Sequence, residues 1–193
     1  QGVPYLPIDG HSADMLALPG HKGLHGIQGV GVLLFNDDIQ LKPLVYGGTG
    51  TESFSPLQPT TIPEGLEAGT MFSGGIRAFC EGAIWTFDHV REIRSHIEKL
   101  AKETAYNLAN MGATVYNKEF VSGIVTFNLG EVESQTVATY LDQKNIATRG
   151  GVHCAPLIHK RLGTESQGAV RVSFGVDNNE KDMIALLDAL ERY

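Results

Sequence analysis

The sequence predicts an α/β chain in two lobes, a strand-and-helix lobe over residues 1–90 and a small α+β lobe over residues 91–193. Three observations predict it. Residues 30–35 (VGVLLF) are an unbroken apolar run, the pattern of a strand covered on both faces. From residue 74 to residue 110, Ile76, Cys80, Ala83, Ile84, Phe87, Val90, Ile93, Ile97, Leu100, Ala101 and Leu108 recur at helical spacing. After that helix, short strand-like and helix-like stretches follow in quick order, the texture of a compact mixed lobe.

Taken in order, the first strand is read at residues 14–18 (DMLAL), broken by Pro19-Gly20, and the second is the run at 30–35. Residues 46–73 are rich in Gly, Pro, Thr and Ser and read as one long loop, and a loop of that length is usually functional. The helix over 74–110 is expected to bend between Val90 and Arg94 and to stop at Gly112 as its C′ residue. Its apolar face places Cys80 in the core. Strands follow at 113–116 and 124–129, a helix at 135–143 and a short strand at 146–148. A strand at 170–174 and a helix near 180–192, with Asn178 or Asn179 as N-cap, complete the reading.

Composition narrows the function. The 193 residues are 42% hydrophobic, 19% charged and 8% aromatic, values of a globular chain with enough apolar material for a core. Fifteen Lys and Arg stand against 22 Asp and Glu, a net charge of −7 without a basic cluster. That balance argues against nucleic acid or an anionic membrane as a partner. No run approaches the roughly 18 apolar residues of a membrane span, and no signal peptide opens the chain. Two cysteines, Cys80 and Cys154, give no disulfide framework, so a reducing, cytoplasmic location is expected.

Two constellations carry chemistry. In Gly20-His21-Lys22-Gly23-Leu24-His25-Gly26 a lysine sits in a glycine-rich turn between two strands. A solvated loop lysine is the plain reading. Glycines on both sides, however, admit a flat ligand, and a lysine held at a strand end can lose its proton and form a Schiff base. In Arg149-Gly150-Gly151-Val152-His153-Cys154-Ala155-Pro156 a cysteine sits in a glycine-rich loop near an arginine. A cysteine is more often a small core residue, but a nearby cation favours the nucleophilic thiolate. Gly47-Gly48-Thr49-Gly50 is either a turn or an anion-binding nest with a hydroxyl added. Arg171 lies in an apolar strand, where its guanidinium needs an anion, either a structural carboxylate or that of a substrate. His11, His21, His25, His153 and His159 form no metal-ligand motif, so no metal is expected.

In this order the motifs resemble class V aminotransferases, and among them the cysteine desulfurase group. The likeness runs through Gln1, Pro7-Ile8-Asp9, Asp14, the run from Pro19 to Gly31, the loop from Gly47 to Gly50, Glu67-Ala68-Gly69-Thr70, the run from Arg149 to Pro156, and Arg171-Val172-Ser173. It departs locally: Ile27 replaces a usual Pro, Met71-Phe72 a usual Pro-Asn, and Asp177-Asn178 a Tyr-Asn type pair.

The resemblance implies fold type I, with the first lobe the later part of a large domain that binds pyridoxal 5'-phosphate and the second a small C-terminal α+β domain. It implies that Lys22 carries the cofactor and His21 binds its phosphate. Gln1 would bond the cofactor's phenolic oxygen, and Thr49 the phosphate held by the other subunit of a homodimer. Arg171 and Arg149 would bind an amino-acid substrate, Arg171 through its carboxylate, and Cys154 would take the substrate sulfur. A sulfur-acceptor protein is a further implied partner. The family chain is about twice as long, so this one is expected to be its C-terminal half, without the aromatic residue that stacks on the cofactor ring and the Asp that pairs with the ring nitrogen. Desulfuration of L-cysteine is the leading expectation. Another class V reaction, selenocysteine lysis and an inactive or structural fragment are the alternatives.

Overall fold

The computed structural model describes residues 13–193 apart from Lys118 and Val121, and the chain divides between Asp88 and His89 into two compact units. Gln1 lies outside the described residues, as do Pro7, Ile8, Asp9 and His11. One helix, α1 (Ser73–Asn110), crosses the division. The whole is α/β.

The first unit holds an antiparallel hairpin of β1 (Met15–Pro19) and β2 (Gly31–Phe35), in register from Met15 opposite Phe35 to Pro19 opposite Gly31. Gly20 and Gly26 close its turn: Gly20 N–H donates to Val30 C=O and Gly26 N–H to Gly20 C=O, each at 2.9 Å. Between the hairpin and α1 the chain is irregular except for a 3₁₀ turn at Glu64–Leu66. Two expectations need correction. The strand at 30–35 is not covered on both faces, because it has one partner strand and leaves Leu33 46% and Leu34 52% exposed. Cys80 is exposed too, on an α1 face whose Ile84 and Phe87 are also exposed.

The second unit contains the core. β3 (Thr114–Val115), β4 (Ile124–Asn128) and β5 (Val170–Ser173) form an antiparallel sheet in the order β3-β4-β5. Val125 and Phe127 of β4, with Val170 and Val172 of β5, are buried on one of its faces. They join a cluster with Ile97, Leu100 and Leu108 of α1, Val137 and Leu141 of α2 (Ser134–Gln143), and Met183, Leu186 and Leu190 of α4 (Glu180–Glu191). The period of each element points its apolar residues one way, and together they exclude water. α1 ends as the sequence reads, with Gly112 at φ 87° and its N–H donating to Ala109 C=O. α4 starts at a capping box: Asn179 Oδ1 accepts from Lys181 N–H, and Asp182 Oδ2 accepts from Asn179 N–H, both at 2.9 Å.

Two elements differ from the sequence reading. Residues 146–148 form no strand. Asn145, at φ 60°, and the Gly150-Gly151 turn leave room for a single bridge, Arg149 opposite Arg171. A seven-residue helix, α3 (Pro156–Leu162), follows Cys154, with Pro156 at its start and Gly163 at φ 69° closing it. Two turns are too few to show a period, which is why the sequence leaves it as loop.

Candidate active site

The lysine turn is seated on α1 by glycines. A Cβ on Gly20 would lie 2.8 Å from both the Phe79 ring and Val30 O, and one on Gly82 2.7 Å from the carbonyl oxygens of Leu24 and His25. No side chain fits at either place, so the turn and the helix meet at backbone distance. Thr86 and His25 fasten the contact. The Thr86 hydroxyl donates to Gly82 C=O at 2.7 Å and therefore accepts from His25 Nδ1–H at 2.8 Å. The His25 ring stands edge-on to Trp85, with centroids 5.3 Å apart. At the tip of this fixed turn, His21 and Lys22 are exposed.

In the same unit the Gly47–Gly50 loop lines a hollow of about 360 Å³ with Thr51, Ser53 and Ser55. Thr49 and Thr51 share a hydroxyl hydrogen bond of 2.8 Å, and Gly69 N–H ties the loop down through Gly48 C=O at 2.7 Å. Hydroxyls and glycine backbone N–H groups are donors suited to a phosphate, and an exposed amine is suited to an aldehyde carbon. Taken separately, the amine suits the aldehyde and the loop the phosphate of pyridoxal phosphate.

The second unit brings Arg149, Cys154 and Arg171 together. Arg149 and Arg171 are a directly opposed antiparallel pair exchanging backbone hydrogen bonds, Arg149 N–H to Arg171 C=O at 3.1 Å and the return at 2.8 Å. Opposed side chains share a face, and like charges placed so are destabilising without an anion between them. Neither guanidinium has a carboxylate partner in any ion pair among the described residues, and the buried Arg171 Nε has no hydrogen-bond partner. Burial and the adjacent Arg149 charge lower the pKa of Arg171, while Cys154 acts in the opposite direction. Arg149 Nη2 donates to Cys154 Sγ at 3.5 Å.

The Cys154 loop holds an uncommon backbone. His153 (φ 55°) and Cys154 (φ 60°) are consecutive residues in the left-handed region, a conformation that side chains disfavour and that surrounding contacts must fix. His153 Nε2–H donates to Arg149 C=O at 2.9 Å. At the root of the loop, buried Ser134 accepts from Gly151 N–H at 3.0 Å and donates to Gln167 C=O at 2.8 Å. A Cβ on Gly150 would lie 2.6 Å from Ser134 O. The sequence reading missed Ser134 and gave His153 no part in this loop. The glycine pair signals a close backbone approach, but nothing local identifies Ser134 as what it approaches.

Residues 1–186 match the family model described as Aminotransferase class-V. The chain is 34% identical to a "Probable cysteine desulfurase" of Pyrococcus abyssi, over 99% of this chain and 50% of that protein. It is 33% identical to a protein of the same name from Pasteurella multocida, over 99% and 47%. Among solved structures, a cysteine desulfurase from Thermococcus onnurineus superposes with a TM-score of 0.84 at 32% identity, over 93% of this chain and 46% of that one. A cysteine desulfurase from Escherichia coli gives 0.82 at 28%, over 93% and 45%. The chain therefore spans about half the length of the curated relatives it matches. With the family model covering nearly all of it, the chain belongs to the class-V aminotransferases.

Proposed function

We propose that this chain supplies the lysine, cysteine and arginines of a cysteine desulfurase that holds pyridoxal phosphate and works as a homodimer. The observation that carries the reading is the opposed pair Arg149 and Arg171, two guanidiniums without a carboxylate partner, beside the Cys154 thiol. A cation pair of this kind receives the α-carboxylate of an amino acid and leaves a sulfur nucleophile next to the bound substrate. In this reading the first unit is the later part of the cofactor domain and the second is the small C-terminal domain.

Lys22 and His21 would hold the cofactor, Gln1 would hydrogen-bond its phenolic oxygen, and Thr49 would bond the phosphate held by the other subunit. When bound, the cofactor supplies an electron-withdrawing ring that eases cleavage at Cα and Cβ of an amino acid. Lys22 Nζ takes the proton from the substrate Cα and returns it. Arg171, with Arg149 beside it, fixes the carboxylate and turns the substrate sulfur towards Cys154 Sγ. The Cys154 thiolate attacks that sulfur and an S–S bond forms as the Cβ–S bond breaks. Carbon keeps the bonding pair and is protonated to L-alanine, and the sulfur stays as a persulfide on Cys154. A sulfur-acceptor protein then removes it.

The test is product analysis on the complete assembled protein supplied with L-cysteine. Alanine in step with persulfide or sulfide is expected. Cys154→Ser should keep the bound cofactor and lose sulfur release, because a hydroxyl is a far weaker nucleophile than a thiolate. Lys22→Ala should abolish borohydride trapping of the cofactor. A keto acid as product, or full turnover by Cys154→Ser, would replace this reading with transamination.

A further inference from the structure

We propose that His153 is a positioning residue for the Cys154 thiol: its Nε2–H bond to the Arg149 carbonyl closes the loop so that the Arg149 guanidinium meets the sulfur. This rests on Cys154 being the working thiol. The loop leaves strand pairing at Arg149, turns at Gly150-Gly151, and must bring Cys154 back to the side chain of the residue where it left. His153 closes that circuit at 2.9 Å, four residues on from Arg149. It does so one residue before the cysteine, so the brace spans the first of the two left-handed residues that aim Sγ at Arg149 Nη2, 3.5 Å away. Left-handed backbone at two successive side-chain-bearing residues persists only when local contacts over-determine it.

A second layer backs the brace. The His153 ring meets His159 edge to face, with centroids 5.4 Å apart. His159 is 2% exposed and hydrogen-bonded through Nδ1 to the Thr164 hydroxyl at 2.8 Å. Thr164 in turn receives Gly168 N–H through its backbone carbonyl at 2.8 Å, next to the strand that carries Arg171. The ring of His153 is therefore held at its nitrogen and on its side. Because the carbonyl can only accept, the proton sits on Nε2. Burial, with Arg171, His159 and Arg149 nearby, keeps the ring neutral and adds no third charge to the arginine pair.

The test uses the full chain and its two exposed cysteines, with Cys80 as the internal reference for Cys154. Iodoacetamide is added in limiting amount, and the ratio of labelled Cys154 to labelled Cys80 is read by peptide mass spectrometry. His153→Leu should change that ratio about five- to tenfold, the size of one lost charge-assisted contact. Arg149→Ala should change it equally, and the double variant no further, because both remove the same contact. His153→Gln, which keeps a donor at similar reach, should stay within about twofold of the parent ratio. Should His153→Leu fail to fold, Thr164→Val reads the same brace through His159 and should move the ratio part of the way. An unchanged ratio in the folded His153→Leu chain, or in Thr164→Val if that chain must stand in, overturns the proposal, as does an additive double variant. The reading needs no turnover, so failure here leaves the desulfurase assignment standing, and failure of that assignment leaves the labelling pattern interpretable.

Discussion

Arg149 and Arg171 form an unfavourable arrangement unless an anion lies between them. Side by side across a backbone bridge, they repel, and the buried Nε of Arg171 has lost water without gaining a partner. Structure tolerates such a defect where function uses it. The same locality sets a pH dependence. Burial lowers the His153 pKa below its ordinary 6.5, with Arg171, His159 and Arg149 acting in the same direction and the Arg149 carbonyl opposing. The unfolded chain thus binds a proton at this position more readily than the folded one. The contribution of His153 is complete above about pH 6.5 and is lost as pH falls from there towards the lowered folded value. Urea titrations between about pH 8 and about pH 5 should show His153→Gln losing less stability than the parent on acidification. Parallel curves would mean that His153 does not titrate in this window. These residues were legible in sequence to different degrees. The glycine-rich loop around Cys154 announced itself, whereas the opposition of Arg149 to Arg171 depends on a single long-range bridge that no local pattern encodes.

At the scale of elements, period predicted what period can show. The 38 residues of α1, the strand at β4 and the capped α4 follow from apolar spacing and an Asn at the cap. α3 and the strand not formed at residues 146–148 do not, because both are too short for a repeat to stand out. Burial was misjudged for a different reason. Cys80, Ile84 and Phe87 repeat like core residues, but periodicity says which residues share a face and not whether that face has a neighbour. The seat of the lysine turn on α1 depends on glycine rather than on apolar packing, and two substitutions separate these effects. Gly82→Ala puts a methyl against two backbone carbonyls that cannot move aside, and should destabilise the chain by about 1–3 kcal/mol. It should also speed hydrogen exchange in the turn between β1 and β2. Gly74→Ala in the same helix meets nothing within 4 Å and should be neutral or stabilising by at most about 1 kcal/mol. Equal effects of the two in chemical denaturation would show that the close approach at Gly82 contributes nothing.

Over the whole molecule the apolar core is distributed unevenly. Among the described residues, every buried hydrophobic side chain lies at Ile93 or beyond, while Met15, Leu33 and Leu34 of the hairpin and Ile84 and Phe87 of α1 are exposed. The second unit therefore carries a core of its own, and the first carries strands and a helix face in search of cover. The chain spans about half the length of the curated relatives it matches. In the proposed reading Thr49 serves the phosphate held by the other subunit, so within one chain the Lys22 amine lacks that contact. Pyridoxal phosphate titrated into the isolated chain should bind weakly, release no alanine from L-cysteine, and leave the chain self-associating through its uncovered hairpin in sedimentation runs. In hydrogen exchange the amides of Val125, Phe127 and Val170 should be slow and those of β1 and β2 fast. A monodisperse monomer with uniformly slow exchange, tight cofactor binding and steady alanine release would show that the uncovered faces cost the chain nothing.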